Sequence, residues 1–209
     1  MSDKTYIWGA LLSDIGNEFG VAGLMGNLQA ESGLISYRVQ GDFSDGYTES
    51  ISYTARVDSG AISEYDFVNN GPGGGGYGLA QWTYYSRKQA LYDMKKSGGY
   101  NSIGSVQLAC AYLLYELKNS YPTVYQTLKT ATSIRVASDC VLHDFENPAD
   151  QSTAVEIERA NLGTALYNEL SGQPPIDPDT PPINPTVKTK SKKKKYNFIL
   201  FNRQRRFQR

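Results

Sequence analysis

The chain has 209 residues, of which 40% are hydrophobic and 20% charged, enough for one domain of ordinary size with a real core. Its formal charge of zero hides an asymmetry: Lys188 to Arg209 holds ten of the 21 basic residues and no acidic one, leaving 11 basic against 21 acidic residues in the body. Two cysteines exclude a disulfide scaffold, no basic and apolar leader is visible at the start, and no apolar run approaches the roughly 18 residues of a membrane span.

Residues 3 to 19 are expected to form a first helix, with Ile7, Trp8, Leu11, Leu12 and Ile15 at spacings of three and four and Gly20 closing it. A second follows at once. Val21, Leu24, Met25 and Leu28 fall at i, i+3, i+4 and i+7, a stripe that buries one face, and Gly33 stops the helix just past Glu31. From Leu34 to Asn70 the pattern changes to tyrosines, serines and short alternating pieces such as Ile51 to Val57, flanked by turn signals, which reads as a small β-hairpin lobe rich in hydroxyl groups. The glycine run 71 to 76 interrupts regular structure and leads into Tyr77 to Thr83; without a closing Gly-Lys-Ser/Thr it is no phosphate loop. Helical patterns then occupy roughly 84 to 97, 103 to 118, 122 to 130, 134 to 145 and 151 to 170, with Ser133 as an N-cap and Pro148 separating the last two.

Three stretches carry chemistry. Glu31 at the end of its helix can sit half in apolar packing at the lip of a cleft, and burial favours the protonated carboxyl that a general acid needs. In Gly76-Tyr77-Gly78-Leu79-Ala80-Gln81-Trp82, glycines permit close approach of backbone to a ligand, while Tyr77, Gln81 and Trp82 offer the stacking faces and amides that sugar rings use; core aromatics in a tight buried turn are the competing reading. Phe145-Glu146-Asn147-Pro148 is the third, with Glu146 read as an acceptor that fixes a groove.

These blocks, with Gly23 to Gly33, Gly76 to Thr83 and Phe145 to Asp150 in this order, resemble the phage tail lysozyme family, within the wider lysozyme and lytic transglycosylase superfamily, over residues 4 to 170. The resemblance implies an α+β, mainly α, lysozyme-like domain that cleaves the glycan strands of peptidoglycan, with Glu31 as the catalytic acid. It also implies a place in a virion tail, among other tail proteins, or in the host cytoplasm before release. Many relatives carry an aspartate shortly before the Gly-Tyr-Gly segment, where this chain has Asn69 and Asn70.

Glycoside cleavage needs an acid and something to stabilise or trap an oxocarbenium-like centre. Asp42 and Asp58, beside glycine-containing turns of the expected hairpin lobe, are candidates for that second catalytic role, against the competing reading of turn aspartates bonded to local backbone. A transglycosylase would manage with Glu31 alone, and a non-catalytic glycan-binding or structural tail component would keep the groove without the chemistry. Tyr53, Tyr77, Gln81, Trp82 and Glu146 form the candidate substrate-binding set.

No cofactor and no metal are expected, since His143 is the only histidine and no cluster has ligand spacing. Cys110 with His143 is disfavoured as a thiol pair because Cys110 lies mid-helix. The organisation is therefore a lysozyme-like domain over 1–171, a Pro-rich linker over 172–187 and a basic tail over 188–209, suited to an anionic wall polymer or membrane surface and without a module for specific nucleic acid.

Overall fold

The computed structural model describes residues 3–71 and 75–173. The basic tail, the linker beyond residue 173 and positions 72–74 of the glycine run lie outside the described residues. Eight α-helices are present among those described: α1 (Asp3–Ile15), α2 (Glu18–Ser32), α3 (Thr48–Asp58), α4 (Tyr85–Ser97), α5 (Val106–Asn119), α6 (Pro122–Thr130), α7 (Ile134–Val141) and α8 (Thr153–Leu170). None is long and apolar enough to cross a membrane.

The single helix expected over 3 to 19 is split. Gly16 takes a left-handed φ of 72° after Ile15, and Asn17 then caps α2, its Oδ1 accepting from the Phe19 and Gly20 amides at 3.0 and 3.4 Å. The Asn17 side-chain amide also donates to the Ala131 carbonyl at 2.9 Å, so the cap ties α2 to the loop after α6.

The second helix is more central than its apolar stripe implied. Every residue from Gly20 to Leu28 is buried, because three glycines on other faces let neighbouring backbones close in. A Cβ added at Gly20 would lie 1.9 Å from the Leu128 carbonyl oxygen of α6. At Gly23 it would meet the Ala137 Cβ of α7 at 2.5 Å, and at Gly26 the Arg159 carbonyl oxygen of α8 at 2.3 Å. Gly163 of α8 returns the fit, since a Cβ there would lie 2.5 Å from the Ala22 carbonyl oxygen. The core is thus built around α2, with Ile7, Trp8 and Leu11 of α1 and Leu108, Leu113 and Leu117 of α5 completing it.

The hairpin lobe is where the structure departs from expectation. No strand occurs among the described residues, only isolated bridges from Tyr77 to Val39 and to Trp82, and Ile51 to Val57 lies inside helix α3. The inward face of α3 is Ser50, Thr54 and Val57, so two of the three positions that carry its helical period are small hydroxyl residues. Those hydroxyls are buried with partners: Ser50 Oγ accepts from the Val39 amide at 3.0 Å, and Thr54 Oγ1 bonds the Tyr77 hydroxyl at 2.7 Å. The later helices follow the sequence reading within a few residues, with Ser133 accepting from the Val136 amide as the cap of α7.

Candidate active site

Glu31 occupies the last turn of α2, which Gly33 ends in a left-handed conformation while its amide donates to the Gln29 carbonyl at 3.0 Å. The carboxylate keeps 22% of its side-chain surface and accepts from Arg159 Nη2 at 2.6 Å. Arg159, on α8, also reaches Asn27, its Nη1 lying 3.3 Å from the side-chain oxygen and 3.4 Å from the carbonyl. Asn27 is itself fixed, its amide donating to the Gly23 carbonyl and to both the carbonyl and hydroxyl of Ser138 on α7. Three helices therefore set where Glu31 points.

The Gly76 to Trp82 segment is a tight turn. The Trp82 amide donates to the Tyr77 carbonyl at 2.9 Å, and the Gly78 amide donates to the Arg38 carbonyl at 2.7 Å. Glycine is needed at 78, where φ is 79° and a Cβ would press on the Trp82 ring at 2.9 Å. Gln81 has φ 45°, and its side-chain amide donates to the Gly78 and Arg38 carbonyls at 2.9 and 3.1 Å, an internal brace for a non-glycine residue held in the left-handed region.

Tyr77 and Trp82 do not offer the stacking faces foreseen for them. Both are fully buried, Tyr77 through its bond to Thr54 and Trp82 by donating from Nε1 to Glu116 at 3.0 Å. They are the core aromatics of the competing reading, and they hold the turn that presents Gln81.

Glu146 closes a wide helical turn, residues 142–146, that continues α7 and is ended by Asn147 with φ 47°. Phe145 plugs the core beneath it, edge-on to Tyr121 with ring centroids 4.9 Å apart. Oε1 of Glu146 is buried and has no hydrogen-bond partner. Burial first, and then the nearby Glu31 charge, push the Glu146 carboxyl up to about 8 against an ordinary 4.5, outweighing the opposing pull of Arg87 and Arg159.

A cleft of about 320 Å³ joins these parts, lined by Glu31, Gln40, Ala80, Gln81, Thr83, Tyr84, Arg87, Glu146 and Pro148. It brings together Glu31, Gln81 and Glu146 from the sequence-derived set. Tyr84, an exposed aromatic on its wall, and Gln40, which accepts from the Gly76 amide at 2.7 Å, were not foreseen, nor was Arg159. Arg87 lines the cleft while its guanidinium is clamped on Glu116 at 2.6 and 2.8 Å.

The two aspartates and Tyr53 stand elsewhere. Asp42 is buried beneath the turn before α3 and accepts from the amides and hydroxyls of both Ser44 and Ser50. Burial opposes its ionisation, but those donors win and hold its carboxyl well below the usual carboxylate range. Asp58, at the end of α3, accepts from Ser102 Oγ at 2.6 Å and the Ile103 amide at 2.8 Å and pairs with Lys95 at 3.2 Å. Neither lines the cleft that holds Glu31. Tyr53 lies on an adjoining groove with Val39, Gln40, Thr48, Glu49 and Arg56, and Gln40 is common to both hollows.

Cys110 is buried in α5, and burial pushes its thiol up to about 12, which suits packing rather than nucleophilic attack. His143 has both ring nitrogens within bonding distance of side-chain oxygens, Gln151 at 2.8 Å and Glu156 at 2.9 Å. Among the described residues no group of three His, Cys, Asp or Glu side chains is arranged to hold a metal ion.

A comparison with curated proteins found no match. The family model described as phage tail lysozyme matches residues 2–170, a span that takes in α1 to α8 and every residue lining the cleft. The chain therefore belongs to the phage tail lysozyme family, whose members are lysozyme-like enzymes associated with phage that act on peptidoglycan.

Proposed function

We propose that the protein is a glycosidase that cuts the glycan strands of bacterial peptidoglycan, with Glu31 delivering a proton to the leaving glycosidic oxygen. The observation that carries this reading is the meeting of Glu31 and Glu146 on one cleft with the Gln81 amide and the exposed Tyr84 ring. Protonation of the bridging oxygen lets the C1–O bond break with its electron pair on that oxygen, leaving an oxocarbenium-like sugar. Water attack then completes a muramidase reaction.

A second reading is favoured by the engagement of Asp42 and Asp58 in turns away from the cleft. With neither aspartate beside Glu31, the sugar's own 6-hydroxyl can replace water, and the enzyme is then a lytic transglycosylase. Mass spectrometry of the products from purified peptidoglycan separates the two, since hydrolysis yields new reducing ends and transglycosylation yields anhydro ends. Glu31→Gln is expected to abolish both, by at least about 10²-fold. Full activity in that variant sinks the proposal.

A further inference from the structure

An ion-paired carboxylate is a poor proton donor until a proton reaches it. Glu31 sits in that state, its Oε1 bonded to Arg159 at 2.6 Å. The other carboxyl of the cleft has the opposite surroundings. Oε1 of Glu146 is buried with no donor, although two arginines stand near: Arg87 turns Nε and Nη2 to Glu116, and Arg159 turns Nη2 to Glu31 and Nη1 to Asn27. A carboxyl with one oxygen buried and unpaired, on the same cleft as a second carboxylate, is favoured in its protonated form.

We propose that Glu146 is the proton store for Glu31: the proton that Glu31 passes to the glycosidic oxygen is drawn from the Glu146 carboxyl on the same cleft. The proposal rests on the glycosidase reading above and gives Glu146 a role that acts through Glu31. Each step balances. The Glu146 carboxyl gives its proton to the Glu31 carboxylate, and Glu31 gives it to the leaving oxygen as the C1–O electron pair moves there. The proton released by the incoming water, or by the sugar's 6-hydroxyl, returns through Glu31 to Glu146, so the pair ends with one proton as it began.

The charges that face Glu146 are Glu31 of α2, Arg87 of α4, Glu116 of α5 and Arg159 of α8. The carboxylates favour its protonated form and the guanidiniums oppose it. Each guanidinium is already paired with a carboxylate, Arg87 with Glu116 and Arg159 with Glu31, which blunts that opposition. On its own turn His143 is turned to Gln151 and Glu156.

Glu146→Gln tests this, because an amide has the shape and neutrality of the protonated carboxyl but no proton to give. In the full chain acting on purified peptidoglycan, kcat should fall by about 10²-fold with KM unchanged. The alkaline limb of the rate profile, expected near pH 8 in the native protein, should also move down. A variant that keeps its kcat and its alkaline limb overturns the proposal. A measurement on unaltered protein guards against misfolding: with carbon-13 at the glutamate carboxyls, one signal should titrate near pH 8 and move to lower pH in Glu31→Gln. If every glutamate of the native protein titrates below about 6, the store does not exist. Failure of the glycosidase reading looks different, since it appears as full activity in Glu31→Gln whatever the glutamate titrations give.

Discussion

Arg159 on α8 joins Glu31 to Asn27, one turn earlier on α2, through a single guanidinium. It orients the carboxylate and locks the last turn of α2 at once. Arg159→Met should cost about 1–3 kcal/mol, less than the ~3–5 kcal/mol of a fully buried pair, because Glu31 keeps 22% of its side-chain surface. Urea unfolding reads that loss. Peptidoglycan cleavage should fall at least about 10-fold from the freed carboxylate. A variant within 0.5 kcal/mol of the parent, on the order of an ordinary surface change, would show the pair to be dispensable.

The glycines of α2 can be told apart from an ordinary helical glycine. Gly26→Ala places a methyl 2.3 Å from the Arg159 carbonyl oxygen, a backbone atom that must move, so a loss of about 1–3 kcal/mol is expected. Gly9 of α1 is exposed with nothing near its Cβ position, and Gly9→Ala should stabilise by about 0.5–1 kcal/mol. Thermal midpoints should move in opposite directions. Equal shifts of one sign would contradict the packing described.

Asp42 should act through stability rather than chemistry. Its carboxyl is held below the ordinary 3.8 in the folded protein, so its contribution is present above that value and is lost as pH falls through the lowered one. Native protein should therefore lose more stability between pH 5 and pH 2 than Asp42→Asn, while the variant retains glycan cleavage at neutral pH. Loss of cleavage in a fully folded Asp42→Asn would return Asp42 to the chemistry.

Glu146 has the reverse sign. Its folded carboxyl binds a proton more tightly than the unfolded chain does, so the contribution is full below about 4.5 and drains away as pH rises to about 8. Unfolding free energy from urea titration should decline across that window in the native protein, and the decline should be shallower in Glu146→Gln. Identical slopes would mean that Glu146 is charged in the fold.

Where local pattern and burial agree, sequence reads well. The apolar stripe of α2, the glycine that ends it and the cap at Ser133 are local signals, and they place Glu31 and the bounds of most later helices. The α3 segment reads as strand in sequence because Ser50 and Thr54 point inward, and hydroxyl residues on a buried face look like an alternating strand. Tyr77 and Trp82 show a different limit. A stacking platform and a core plug use the same residue types, and only the Thr54 and Glu116 partners distinguish them. Arg159 left no trace, since its partner Glu31 lies 128 positions away.

The glycine-lined surround of α2 also orders events in time. The helix is synthesised early, yet the backbone of α8 that fills the space over Gly26 arrives some 130 residues later. Until residues 153–170 have left the ribosome, a nascent chain carries α2 with that groove open and Glu31 without its guanidinium. Closure across so long a stretch is slow compared with local helix formation. Every partial product of translation that lacks α8 therefore lacks both the cover over Gly26 and the guanidinium that fixes Glu31.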